Sequence, residues 1–167
     1  MQIERYTEQA RQLIQSAQGE ALKRSHQRLT PEHLLKAALL QLDGNAKNIL
    51  KAAGAKIDTL EKGVDSALKA MSSVEGTGAG QLYLDPEMAK LIGTAEEQAQ
   101  KSGDQFVTAE MFLLALAMGK GKAADLLKEA GATPQSLQAA IQDIRKGKKA
   151  TSANAEDQYQ ALEKYTK

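Results

Sequence analysis

The 167-residue sequence contains no cysteine and no tryptophan, and it has only six aromatic residues, four tyrosines and two phenylalanines. The absence of cysteine excludes disulfides, thiolate metal sites and a cysteine nucleophile, and it fits a reducing compartment. Because aromatic residues are scarce, a core must be built from leucine, isoleucine, alanine and methionine. Hydrophobic residues make up 42% of the chain, which is enough for one packed core.

Long apolar runs and an excess of charge are also missing. The longest apolar run, residues 111–118, is far shorter than the roughly 20 residues of a membrane span. The N-terminal segment is charged and periodic, unlike a secretion signal. Lysine and arginine number 22 against 21 acidic residues, so charge gives no reason to expect nucleic acid or an anionic membrane as partner. We therefore expect a cytoplasmic protein with neither partner.

An internal repeat runs through the chain. A shift of 78 residues places the first half on the second, and the shift becomes 77 beyond the region of Gly44. Identical pairs include Leu13/Leu91, Thr30/Thr108, Glu32/Glu110, Leu35/Leu113 and Gly54/Gly131. A duplicated unit of this kind predicts a repeated set of structural elements.

Helical signals dominate both copies. Apolar residues recur with the helical period, and no segment alternates as a strand does, so no strands are predicted. The prolines follow Thr30, Asp85 and Thr133, which are typical N-cap residues, and Thr108 is the counterpart of Thr30. Two glycines that close apolar runs are predicted to adopt the left-handed conformation after helix ends, Gly54 and Gly131.

These signals predict an all-α fold of eight helices. The helices are expected at residues 4–23, 31–42, 45–53, 57–71, 86–101, 109–118, 120–130 and 134–146. The predicted organisation is a first repeat (1–72), a linker (73–83), a second repeat (84–147) and a flexible linker (148–167), with a further helix compatible with 155–167. Each repeat is small for an independent core, so we expect the two to pack as one pseudo-twofold domain.

Histidine chemistry is sparse. His26 and His33 are the only histidines, and the cap at Thr30 places His26 in a loop. Metal binding would need carboxylates converging on them. Ordinary surface or boundary histidines are the favoured interpretation, and no metal site is predicted.

Phosphate-binding and catalytic motifs are not apparent. The glycines at 76, 78 and 80 lack the flanking strand and helix of a phosphate loop, and residues 119–122 lack the Walker A spacing. No histidine is placed as a base for a serine nucleophile. The basic residues Arg145, Lys146, Lys148 and Lys149 favour a helix C-terminus through its dipole. We therefore predict no catalytic residue and no cofactor in this chain.

The second copy has the more apolar middle. Lys36 of the first copy becomes Leu114 in the second. Methionine is an adaptable residue at promiscuous surfaces, although for Met88, Met111 and Met118 burial in the core is the better expectation. One or two exposed methionines beside a groove would form a receptor for an extended chain.

Five segments resemble one known family. They are Thr30–Leu35 (TPEHLL), Val74–Gly78 (VEGTG), Gly103–Glu110 (GDQFVTAE), Ala124–Ala132 (ADLLKEAGA) and Ala155–Thr166 (AEDQYQALEKYT). Together they are similar to the Clp repeat, which forms the N-terminal domain of the Clp class of AAA+ ATPases. The repeat alone fits several branches of the class, whereas the linker and tail segments favour the disaggregase branch.

The resemblance implies a domain that engages exposed apolar segments of unfolded or aggregated proteins for a homohexameric ring. It also implies that ATP and Mg²⁺ bind in modules outside this sequence, and that the isolated domain is a monomer. A folded adaptor is the alternative partner. The family's client-binding residues correspond to Thr7, Ile92, Asp104, Glu110 and Met111, whereas a further groove leucine is Thr94 here. Structural roles also stay open, as a helix cap for Thr7 and as acids near a helix start for Asp104 and Glu110.

Overall fold

The computed structural model describes residues 3–41, 46–73, 82–146 and 150, and most of these residues are helical. The helices are α1 (Glu8–Lys23), α2 (Pro31–Leu40), α3 (Ala46–Ala52), α4 (Ile57–Lys69), α5 (Pro86–Lys101), α6 (Ala109–Met118), α7 (Lys122–Ala130) and α8 (Pro134–Arg145). A 3₁₀ turn (Ile3–Arg5) precedes α1. The predicted all-α fold with four helices in each repeat is confirmed.

The observed helix ends agree best with the predicted ones where a proline or a threonine cap marks the start of the helix. Helices α5 and α6 begin and end at the predicted residues. The start of α1 is wrong by four residues, because Thr7 is its N-cap and accepts a hydrogen bond from the Ala10 N–H at 3.2 Å. The backbone just before Thr7 is extended, so it cannot belong to the helix.

The five predicted or alternative cap residues divide into two groups. The side chains of Thr7, Asp85 and Thr133 accept hydrogen bonds from backbone N–H groups in the first turns of their helices. Thr30 and Thr108 also stand at N-cap positions. Thr30 forms a capping box with His33, whereas the Thr108 hydroxyl forms hydrogen bonds with the side chains of Arg145 and Glu110. Both threonines belong to the buried clusters described below.

Two short extended pairings join the repeats, so the prediction of no strands is wrong in detail. Strands β1 (Arg28–Leu29) and β2 (Tyr83–Leu84) pair in parallel, and Tyr6 forms an isolated parallel bridge with Val107. The 78-residue shift places Tyr6 on Leu84 and Leu29 on Val107. Each repeat therefore pairs the segment before its first helix with the segment before the other repeat's second helix. A strand of two residues is too short to show the alternation of apolar and polar residues by which strands are recognised in a sequence.

The two glycines after α3 and α7 meet each other. Gly54 has φ +95° and Gly131 has φ +108°, which confirms the predicted left-handed conformation. A Cβ atom on Gly131 would lie 2.6 Å from the Gly54 carbonyl oxygen, and one on Gly54 would lie 3.3 Å from the Gly131 carbonyl oxygen. Both the backbone conformation and the close approach require glycine here.

One hydrophobic core is shared by the two repeats. Leucine and alanine dominate it, and its principal aromatic contact is the edge-to-face pair Tyr6–Phe112, with ring centroids 5.6 Å apart. No helix among the described residues is long and apolar enough to cross a membrane. Several predictions lie outside the described residues, namely most of the 73–83 linker, the 148–167 linker apart from residue 150, the helix in 155–167 and the glycines at 76, 78 and 80.

Candidate functional site

A buried ionic cluster lies in the second repeat. Arg145 donates through Nη1 to both carboxylate oxygens of Asp104, at 2.9 and 2.7 Å, and through Nε to Glu110 Oε2 at 2.7 Å. Its Nη2 donates to Thr108 Oγ1 at 3.0 Å, and that hydroxyl donates to Glu110 Oε2 at 3.2 Å. The side chains of Arg145, Asp104 and Glu110 are at most 2% exposed, so water screens these interactions little.

Three elements bring this cluster together. Asp104 follows α5 in a turn, Glu110 lies in the first turn of α6, and Arg145 ends α8. Burial raises the pKa of Glu110, and the neighbouring Arg145 only partly offsets that effect. The Oε1 atom of Glu110 is buried without a hydrogen-bond partner among the described residues. Arg145 lies at a helix C-terminus as expected, but its guanidinium also satisfies two buried carboxylates, which was not predicted from the sequence.

The first repeat has an uncharged cluster at the equivalent place. The rings of His26 and His33 are in contact, with His26 Nδ1 2.7 Å from His33 Nε2. The Thr30 N–H donates to His33 Nδ1 at 3.1 Å, which leaves the proton of His33 on Nε2, directed at His26. Burial, followed by the charges of His26 and Arg24, lowers the pKa of His33 to about 4.

The prediction of surface or boundary histidines is therefore wrong for both residues. His26 is 6% exposed and His33 is fully buried, and burial lowers the pKa of His26 as well. The histidines fill a space that the loop before α2 and the first turn of α2 enclose. Among the described residues, no group of three or more histidine, aspartate or glutamate side chains could hold a metal ion.

An open groove of about 300 Å³ lies between α5, α6 and the start of α7. Leu91, Ala115, Leu116 and Ala123 give it apolar walls, and Thr94 is an uncharged polar residue on its α5 side. Lysines and one glutamate stand at its edges. The remaining lining residues are Pro31, Glu87, Lys90, Gly119, Lys120, Gly121 and Ala124.

The two repeats differ in one side chain at the position where Gly119 lines this groove. In the first repeat, Gln41 Nε2 donates to the Gln9 carbonyl oxygen at 3.4 Å and so joins the end of α2 to the start of α1. The 78-residue shift replaces Gln41 with Gly119 and Gln9 with Glu87, and both of these residues line the groove. Met118 precedes Gly119 and is 42% exposed. Burial in the core is thus confirmed for Met88 and Met111, whereas it is wrong for Met118.

A larger cavity of about 610 Å³ lies along a different face of α5. Arg5, Glu96 and Glu97 line it, together with Asp104 and the loop that follows. Glu96 Oε2 also accepts a hydrogen bond from the Tyr6 hydroxyl at 3.3 Å, and burial raises the pKa of Tyr6. Charged groups thus surround this cavity, which suits an apolar chain less well than the groove does.

The five residues assigned to client binding by resemblance are all buried. Thr7, Asp104 and Glu110 are at most 8% exposed, Ile92 is 6% and Met111 is 2% exposed. The structure brings Asp104 and Glu110 together around Arg145, and the Thr7 N–H donates to the Val107 carbonyl oxygen nearby at 3.0 Å. Ile92 and Met111 belong to the core beside α5 and α6. Their role in client binding stays a prediction.

Sequence reasoning missed two residues that shape these sites. The 77-residue shift places Arg145 on Leu68, a buried core residue. A charged residue at an apolar position of a repeat is a signal that could have identified the ionic cluster. Likewise, the change from Gln41 to Gly119 was visible in the repeat, but its effect depends on where the side chain points.

The fold, the repeat and these clusters define a two-repeat helical domain, and comparison with known proteins assigns its class. The family described as "Clp repeat (R) N-terminal domain" matches residues 5–130. The chain belongs to this family.

Within the family, the similar curated proteins are ClpB chaperones. The chain is 49% identical over its whole length to the chaperone protein ClpB of Mesorhizobium japonicum and 46% identical to that of Brucella suis. It spans only 19% of the length of each. The N-terminal domain of Hsp104 from Candida albicans has the same fold, with a TM-score of 0.79 at 22% identity, covering 90% of this chain and 98% of that one. The chain thus corresponds to the Clp N-domain and not to an ATPase module.

Proposed function

We propose that this chain is the client-binding domain of a ClpB-type, ATP-dependent disaggregase. The apolar groove between α5, α6 and α7 receives an extended apolar segment of an unfolded or aggregated protein. The observation that carries the proposal is the groove itself, which Gly119 lines at the position of Gln41 in the first repeat, with the exposed Met118 next to it in the chain. The ring, its ATP and its Mg²⁺ belong to the remainder of such a protein, which acts in the cytoplasm.

The lining of the groove suits weak binding of many different clients. Its walls at Leu91, Leu116 and Ala123 offer non-directional burial, and the neighbouring Met118 can adjust to side chains of different shape. A volume of about 300 Å³ holds only a few side chains. Flexible clients also lose conformational entropy when they bind. Weak binding with little sequence preference is therefore expected.

The five buried residues assigned by resemblance fit this proposal as supports. Ile92 and Met111 pack in the core of α5 and α6, the two helices that supply the groove walls. Asp104 and Glu110 fix the start of α6 through Arg145. We propose that these residues hold the groove's geometry, since none of them presents an exposed side chain to a client.

Closing the groove tests the proposal. The Gly119→Gln variant gives the second repeat the glutamine that the first repeat has at position 41. A Cβ atom at position 119 would lie 3.6 Å from the nearest backbone oxygen, which is ordinary contact, so the fold should persist. We expect the affinity for a permanently unfolded client protein, measured by NMR titration, to fall at least fivefold. The matched control, Gln41→Gly, alters the same position of the first repeat and should leave affinity within twofold.

Equal affinity in the wild type and the Gly119→Gln variant would contradict the proposed site. Absence of any perturbation at millimolar unfolded client, together with stoichiometric capture of one folded protein, would replace client binding with adaptor docking. Conversely, Thr94→Leu adds apolar surface to the groove and should strengthen client binding about threefold to fivefold, at roughly 25 cal/mol per Å² of apolar area. Ser16→Leu, at the equivalent exposed position of α1, is its control.

A further inference from the structure

The ionic cluster of the second repeat extends to a residue beyond α8. Asp104 Oδ1, already bonded to Arg145, also accepts a hydrogen bond from the Ala150 N–H at 2.9 Å. The Ala150 carbonyl oxygen in turn accepts from the N–H groups of Gln105 and Phe106, at 2.8 and 3.1 Å. Ala150 is fully buried and packs against Phe106. Both polar groups of its backbone are thus bound by residues 104–106.

A residue in the left-handed conformation ends α8. Lys146 caps the helix in the left-handed conformation, with φ +53°. A non-glycine residue rarely adopts this conformation unless surrounding contacts determine it. Ala150 lies only five residues after Arg145, yet its partners are 44 to 46 residues earlier in the chain. Ala150 therefore contacts the turn that follows α5.

We propose that Asp104, Arg145 and Glu110 form a latch that fixes Ala150, five residues after Arg145, to the loop of residues 104–106. The guanidinium holds the Asp104 carboxylate in place on one side, and the carboxylate then presents an ordered oxygen to the Ala150 N–H on the other. Asp104 and Glu110 are positioning residues in this latch. They act on the position of Ala150 and do not touch a client.

The first repeat supports a dedicated role for the charges. At the positions of Asp104 and Arg145 it has His26 and Leu68, and both are buried there without an ion pair. An apolar or neutral filling is thus compatible with this scaffold. Buried ion pairs often contribute no more to stability than well-packed apolar residues of similar volume. The charged cluster occurs in the second repeat. There the Asp104 carboxylate also accepts the hydrogen bond from the Ala150 N–H.

Amide hydrogen exchange in the ¹⁵N-labelled chain tests the latch. In the wild type, the Ala150 amide should exchange at least 100-fold more slowly than in an unfolded chain. The Asp104→Asn variant replaces the charged acceptor by a neutral one and should lower this protection at least tenfold. The control Glu97→Gln changes an exposed carboxylate of α5 and should leave the protection unchanged.

A second variant avoids disturbing the buried charges. Ala150→Pro removes the N–H that Asp104 binds and also fixes φ at a buried position, without changing a charged group, and it should lower the protection of the Gln105 and Phe106 amides at least tenfold. Client affinity of this variant should remain within twofold of the wild type, because the groove beside Leu91 and Thr94 is not altered. An unprotected Ala150 amide in the wild type would overturn the latch. So would unchanged protection of Gln105 and Phe106 in Ala150→Pro, whatever the groove variants show.

Discussion

The two repeats share a scaffold and differ in what they bury at the same place. Their pairing segments correspond under the 78-residue shift, since Tyr6 pairs with Val107 as Leu84 pairs with Leu29. Behind these segments, the first repeat has two neutral histidines in contact, whereas the second has an arginine between two carboxylates. The same repeated fold therefore accommodates either a neutral histidine pair or a charged cluster at this buried position.

The difference continues at the surface. The first repeat closes the end of its helix pair with the Gln41 side chain, and the second leaves the equivalent position open at Gly119. The second repeat thus has both the apolar groove and the bound residue after α8. Features common to the two halves maintain the domain, and features found in one half carry the proposed functions.

The largest expected effect comes from importing the first repeat's leucine into the ionic cluster. Arg145→Leu places the residue of position 68 in the second repeat, but it leaves Asp104 and Glu110 buried without a cation. Removing one partner of a buried ion pair destabilises proteins by about 3–5 kcal/mol. We expect a loss of this size in the free energy of urea unfolding at pH 7.

An exposed arginine provides the matched control. Arg28 is 67% exposed and pairs with Asp85 at 3.6 Å, so Arg28→Leu should change the unfolding free energy by no more than about 1 kcal/mol. Arg145→Leu could instead lower the unfolding free energy as little as Arg28→Leu. In that case, the ionic cluster would contribute no more to stability than the apolar residue of the first repeat does. The contrast between the repeats would then concern function alone.

A smaller loss of stability is expected from alanine substitution of the two glycines, Gly54 and Gly131, whose backbones are in contact between the repeats. Gly131→Ala combines a left-handed backbone with a Cβ atom 2.6 Å from the Gly54 oxygen, whereas the reverse contact is 3.3 Å. Strain of this kind costs about 1–3 kcal/mol, so Gly131→Ala should destabilise by about 3 kcal/mol and Gly54→Ala by about 1–2 kcal/mol.

Urea unfolding of the two glycine variants would measure this asymmetry. Gly19→Ala is a suitable control because Gly19 lies inside α1 with nothing within 4 Å of the added atom. It should stabilise the protein by about 0.5–1 kcal/mol through helix propensity. Equal losses at positions 54 and 131 would show that the repeats meet more symmetrically than the backbone distances indicate.

Periodicity and caps predicted the helices because both are local properties of the chain. Helix α5 begins at the proline that follows Asp85, and both of its bounds agree with the prediction. The ionic cluster could not be predicted in this way, because Arg145 meets Glu110 and Asp104 across 35 and 41 residues. The groove was equally hidden, since it depends on the absence of a side chain at Gly119. Only comparison of one repeat with the other identifies such positions.

The smallest expected effect concerns the neutral cluster of the first repeat. His33 is faced by His26, Arg24 and Thr30, and its pKa in the folded protein is about 4 against an ordinary 6.5. Between these two values the unfolded chain binds a proton that the folded chain excludes, so stability is lost as the pH falls from 6.5 towards 4. His33→Met places the residue of position 111 at position 33 and removes this dependence.

Unfolding free energies at pH 7 and pH 4.5 would measure the difference. The wild type should lose about 2 kcal/mol more than His33→Met over this range, from a pKa shift at 1.36 kcal/mol per unit. The raised pKa of Glu110 acts in the opposite direction, because its folded form takes up a proton first as the pH falls. That contribution is present in both proteins and cancels in the comparison. Parallel pH profiles would show that the buried His33 is protonated in the folded state as readily as in the unfolded chain.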